Sequence, residues 1–68
     1  MKVDTEKLKI AQANSCMTNH DLCRVAKIGH VTLIEIKNGT RKKPTLKTIG
    51  KLAKALNIDV ADLLQVEN

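Results

Sequence analysis

Within the stretch GHVTLIEIKNG, residues 29–39, four side chains have the chemistry to read the edges of base pairs. At about 100° per residue on a helix, Leu33 and Ile36 share one face. Val31, Thr32 and Glu35 form a band pointing away from it, with His30 at the edge of that outward surface. A valine methyl group can pack against the C5-methyl of thymine, and a glutamate can accept from the N4 amino group of cytosine. The glutamate charge also repels a misplaced phosphate. His30 can donate to guanine N7 or O6, or accept from an adenine amino group when neutral, and Thr32 can touch a base or a phosphate. In isolation, His30 and Glu35 have a second reading, as solvation of an exposed helix. Ile34 lies to the side, in position to pack against a neighbouring helix.

A basic run, Arg41, Lys42 and Lys43, follows this stretch directly. Such side chains hold phosphates, which gives affinity and register but carries no sequence information. A solvated loop would have the same charge pattern. Lys47, Lys51 and Lys54 recur on one side of the next segment and read as ordinary surface.

Cys16, His20, Cys23 and His30 are zinc-ligand types, but the spacing lacks the paired C-x₂₋₄-C knuckle, so no metal is expected. A redox switch through Cys16 and Cys23 would require thiols close enough to bridge. Nothing combines a nucleophile, a base and an oxyanion donor, and 68 residues leave little room for a pocket. Neither an enzyme nor a cofactor or small-molecule ligand is expected.

The whole chain agrees with an anionic partner. Its formal net charge is +5 and its isoelectric point is about 9.5. It contains no Phe, Tyr or Trp. Single-strand and RNA-loop binders usually stack bases on aromatic rings, and membrane-surface helices usually carry Trp, Phe or a long Leu face. Duplex DNA needs neither. There is no secretory apolar region and no run approaching the roughly 18 apolar residues of a membrane span. The two cysteines, too few for a disulfide framework, suit a reducing compartment, so a cytoplasmic location is expected.

The elements that must position these residues are helices. A helix-start pattern recurs, a polar or small cap preceded by an apolar residue that can staple onto the fourth helical position. Val3, Asp4 and Leu8 fit it, as do Met17, Thr18 and Leu22; Ile28, Gly29 and Leu33; and Ile58, Asp59 and Leu63. Asp62 adds a capping-box-like spacing after Asp59, and Thr45 after Pro44 opens another helix. Gly39 and Asn57 supply left-handed stops. The pattern predicts five helices near 4–14, 18–26, 29–38, 45–56 and 59–65 in one all-α domain spanning 1–68. The expected core is Leu8, Ala11, Leu22, Ala26, Ile28, Leu33, Ile36, Leu46, Ile49, Leu52, Ala53, Leu56, Ile58, Leu63 and Leu64, with Cys23 also inside. Gly50, inside the fourth helix, suggests close approach of another helix. Only a few residues separate helices two and three, so they must cross steeply, as in a helix-turn-helix over about 18–38.

The stretch TNHDLCRVAKIGHVTLIEIKNGTRKKPTLKTIGKLAKALNIDVADLL resembles the helix-turn-helix domains of the phage Cro and repressor (XRE-like) family. Leu22 followed by a small residue, Ile28 after the turn, Leu33 and Ile36, then NGTRKKP and LAKALNIDVADLL, stand in the family's order without a gap. The resemblance implies a compact five-helix, lambda-repressor-like domain that binds duplex DNA as a homodimer on a two-fold-symmetric operator. It implies that His30, Val31, Thr32 and Glu35 face the major groove and that Thr18 and Asn19 sit against the backbone. It implies that backbone amides around Asn38 and Gly39, with Arg41, Lys42 and Lys43, hold phosphates, and that Leu64 and Val66 make the dimer contact. The chain departs from the family where Lys27 replaces a turn glycine and Cys23 an alanine. It also has Gln12 and Lys37 where an arginine–glutamate ion pair commonly joins helices one and three. A protein-interaction module, such as an antitoxin or anti-repressor partner, is the alternative for the same face.

Overall fold

The computed structural model describes residues 2–40 and 44–65. Four α-helices follow one another: α1 (Thr5–Asn14), α2 (Asn19–Ala26), α3 (His30–Asn38) and α4 (Leu46–Ala55). The caps expected from sequence stand at their starts. Asp4 accepts from the backbone N–H groups of Glu6 and Lys7, and Thr45 accepts from that of Thr48. Thr18 and Asp21 form a reciprocal capping box, and Gly29 caps α3 with backbone alone. Each side-chain cap satisfies donors that a helix start leaves open, about 1 kcal/mol apiece.

The expected fifth helix is not an α-helix. Val60–Leu63 form a single 3₁₀ turn, and Asp59 makes no side-chain cap, so its spacing to Asp62 closes no capping box. The reason lies one residue further on. Leu64 is extended, at φ −96° and ψ 148°, because it pairs antiparallel with Val3. The Asp4 N–H donates to Leu63 O at 2.7 Å and the Gln65 N–H to Lys2 O at 3.0 Å. This clasp of the two ends straightens the chain where an α-helix would have continued.

Leu8, Leu22, Leu33, Ile49, Leu52 and Leu63 are wholly buried, with Cys23, Ala26, Ile36, Ala53 and Leu56 beside them. Ala11, Ile28 and Ile58 are partly buried against this cluster, joined by Val3, Met17 and Ala55. Leu64 is half-buried. Leu46 is a correction: it shares a side of α4 with Ile49 and Ala53, but as the first helical residue its side chain leans past the helix start and is 65% exposed. Gln12 is the one buried polar residue among those described, at 7% exposure.

Gly50 corrects a second expectation. A Cβ added there meets nothing within 4 Å, so no helix approaches closely. Gly50→Ala therefore removes the helix-interior glycine penalty without a clash. We expect a gain of about 0.5–1 kcal/mol, read as a higher thermal midpoint; a fall would mean that the space is needed.

Candidate nucleic-acid interface

Helices α2 and α3 pack against each other across a connection of only Lys27, Ile28 and Gly29. Lys27 turns the corner in the left-handed region, at φ 59° and ψ 47°, and its N–H donates back to Cys23 O. This conformation, natural to the glycine that the family commonly has here, is strained for a lysine. Leu22, Cys23 and Ala26 on α2 and Leu33 and Ile36 on α3 anchor the pair in the core, which fixes the opposite face of α3 outward.

On that face Val31 is 73% exposed, an apolar side chain held in solvent. His30 is exposed as the first residue of α3, whereas Thr32 and Glu35 are half-buried. Among the described residues no cation lies within 4.0 Å of the Glu35 carboxylate. Ile34 is 41% exposed, so it closes no interhelical gap completely. The His30 ring lies 5.8 Å from that of His20 on α2, the planes tilted by 31°. The four groove-reading candidates thus occupy one helix, and the structure adds His20 as a neighbour that sequence spacing did not pair with His30.

The proposed backbone contacts fall at the ends of these helices. Thr18 is exposed at the start of α2, and its backbone N–H and then its hydroxyl hold the Asp21 carboxyl below the ordinary carboxylate range. A folded-state value lowered in this way favours the fold at neutral pH. That contribution is lost as pH falls through the lowered value. Asn38 and Gly39 are both exposed at the end of α3, where Gly39 takes φ 74°. The N–H of Gly39 donates to Ile36 O and that of Thr40 to Glu35 O, which closes the helix and aims the chain into the basic run. Arg41, Lys42, Lys43 and Val66 lie outside the described residues.

The pair expected to be broken is rebuilt. Gln12 and Lys37 cannot form an ion pair, yet both reach Asn19. Gln12 Nε2 donates to Asn19 Oδ1 at 2.9 Å and to Met17 O at 3.0 Å, and Lys37 Nζ donates to the same Asn19 oxygen at 2.7 Å. This relay joins α1, α2 and α3, leaving Gln12 Oε1 as a buried acceptor without a partner among the described residues. Sequence showed that both ends of the usual pair had changed, but not that Asn19 stands between them.

The remaining thiol and metal readings gain no support. Cys23 is buried, which pushes its thiol up from the ordinary value and keeps it protonated, while Cys16 is exposed; both are free. Among the described residues no three His, Cys, Asp or Glu side chains gather as a metal site would require.

A family model for the Cro/C1-type helix-turn-helix DNA-binding domain matches residues 7–68. The chain belongs to that family. Neither a curated protein nor a solved structure matches it. As a Cro/C1-type domain it is a DNA-binding module of regulator type, and α2–turn–α3 is its helix-turn-helix. No described helix is long and apolar enough to cross a membrane.

Proposed function

We propose that this Cro/C1-type domain is a sequence-specific transcriptional repressor of the cytoplasm, reading the major groove of duplex DNA with α3. The observation that carries this reading is the exposed band on α3, with Val31 held in solvent beside His30, Thr32 and Glu35. Val31 offers its methyl groups outward on this face, and a thymine methyl is the partner their shape suits. Thr18, Asn19, Asn38 and Gly39 flank the band at the helix ends, where backbone phosphates run, and Arg41, Lys42 and Lys43 follow in sequence. Two copies joined through Leu64 and Val66 would set their recognition helices about 34 Å apart, one turn of DNA.

The test is selection of binding sites from a random duplex pool, followed by titration at several salt concentrations. We expect a two-fold-symmetric consensus containing thymine. Val31→Ala should relax one position of it, and Arg41→Ala should weaken all sequences alike. Each phosphate contact contributes about −0.9 to the slope of log K against log salt. A binding partner held through an apolar protein interface would show neither consensus nor steep slope, and that outcome would move the α3 face to a protein-interaction role.

A further inference from the structure

We infer that Lys37, together with Asn19, clamps one backbone phosphate of the DNA at the edge of the reading face. The inference rests on the DNA-binding role proposed above and adds a residue to it. On the helical wheel Lys37 lies about 20° from His30, on the flank of α3 that faces α2. That flank is laced to the first two residues of α2 at two places: His30 stacks near His20, and Lys37 bonds Asn19. Lys37 therefore borders the groove-facing band and is half-buried rather than extended into solvent.

Its charge is unbalanced. The ammonium donates to a neutral amide oxygen, and among the described residues no carboxylate lies within 4.0 Å of it. Asp21, the acidic residue nearest in sequence to Asn19, is engaged with Thr18 and with Arg24 at 3.9 Å. An ammonium has three donors, and one is spent here. Asn19 Oδ1 accepts from both Gln12 and Lys37, which fills the two acceptor positions of that oxygen. What Asn19 has left is its amide NH₂, two donors with no acceptor among the described residues. A half-buried cation and an amide whose oxygen is turned inward thus offer only donors outward. An anion with several acceptor oxygens completes such a pair, and the anion that runs along this edge of a bound duplex is phosphate.

Gln12 is the positioning residue. Buried on α1, it holds the amide of Asn19 in the orientation that leaves the donors free.

The experiment titrates the parent chain, Lys37→Gln, Lys37→Arg and Asn19→Asp against the selected operator and an unrelated duplex across salt. Lys37→Gln should weaken both duplexes by the same factor and reduce the salt slope by about 0.9; Lys37→Arg should restore the slope. Asn19→Asp keeps the acceptor for Gln12 and Lys37 and so retains the fold, but it presents oxygen to the phosphate. It should bind more weakly than Lys37→Gln. A strut that merely ties α3 to α2 would leave the slopes of both variants at the parent value, which overturns the clamp while the DNA-binding role stands. A parent chain with no salt-dependent duplex binding overturns the role and the clamp together.

Discussion

Leu33→Ala is expected to remove a large share of the stability of the domain. Leu33 is wholly buried and packs in the cluster that also holds Leu8, Leu22 and Leu52. Truncating such a leucine costs about 2.7–5 kcal/mol, because the lost transfer energy is joined by the cavity left behind. A chain of 68 residues at about 0.05–0.15 kcal/mol per residue has roughly 3–10 kcal/mol to lose. Val31→Ala, two positions earlier on the same helix, removes a side chain already in solvent and should change stability by less than about 0.5 kcal/mol. Chemical denaturation followed by far-ultraviolet circular dichroism checks both, since the chain has no aromatic residue to report by fluorescence. Equal losses for the two variants would mean that α3 is not oriented as described.

The turn before α3 and the stop residue after it should respond to mutation with opposite signs. Gly39 adopts φ 74° with room for a Cβ, whose nearest neighbour would be Thr5 Cγ2 at 3.9 Å. Gly39→Ala therefore costs conformational energy alone, about 1–2 kcal/mol for an L-residue in the left-handed region. Lys27 already carries that cost at φ 59°. Lys27→Gly releases it, offset by the greater freedom of glycine in the unfolded chain, for a net gain of up to about 1 kcal/mol. For a domain of this size 1 kcal/mol moves the thermal midpoint by about 4–8 °C. The expected result is one midpoint below the parent and one at or above it. A lowered midpoint for Lys27→Gly would show that the lysine side chain contributes something its exposure does not suggest.

Local signals carried most of the helical architecture. Asp4, Thr18, Gly29 and Thr45 stand as N-caps at the starts expected of α1 to α4, Asp59 precedes its turn without a side-chain cap, and Gly39 and Asn57 take positive φ as stop residues. These features depend on residues within a turn of one another, so sequence alone expresses them. Cys16, at φ 55°, ends α1 in the same conformation without a residue type that announces it. What escaped the sequence depends on distant partners. The fifth helix gave way to a 3₁₀ turn because Val3 pairs with Leu64, and the Gln12–Asn19–Lys37 relay joins residues from three helices. Likewise the outward band of α3 was legible from periodicity, but its proximity to His20 required the crossing of two helices.

The pairing of Val3 with Leu64 also bears on the order in which the molecule assembles. Helices α2 and α3 meet across a connection of three residues, whereas this ladder closes a loop spanning nearly the whole polypeptide. Loop-closure entropy makes such a contact unfavourable until the intervening chain has already condensed. The clasp is therefore a latch that forms after the recognition unit. Opening of the clasp would free the two ends without breaking the connection that joins α2 to α3.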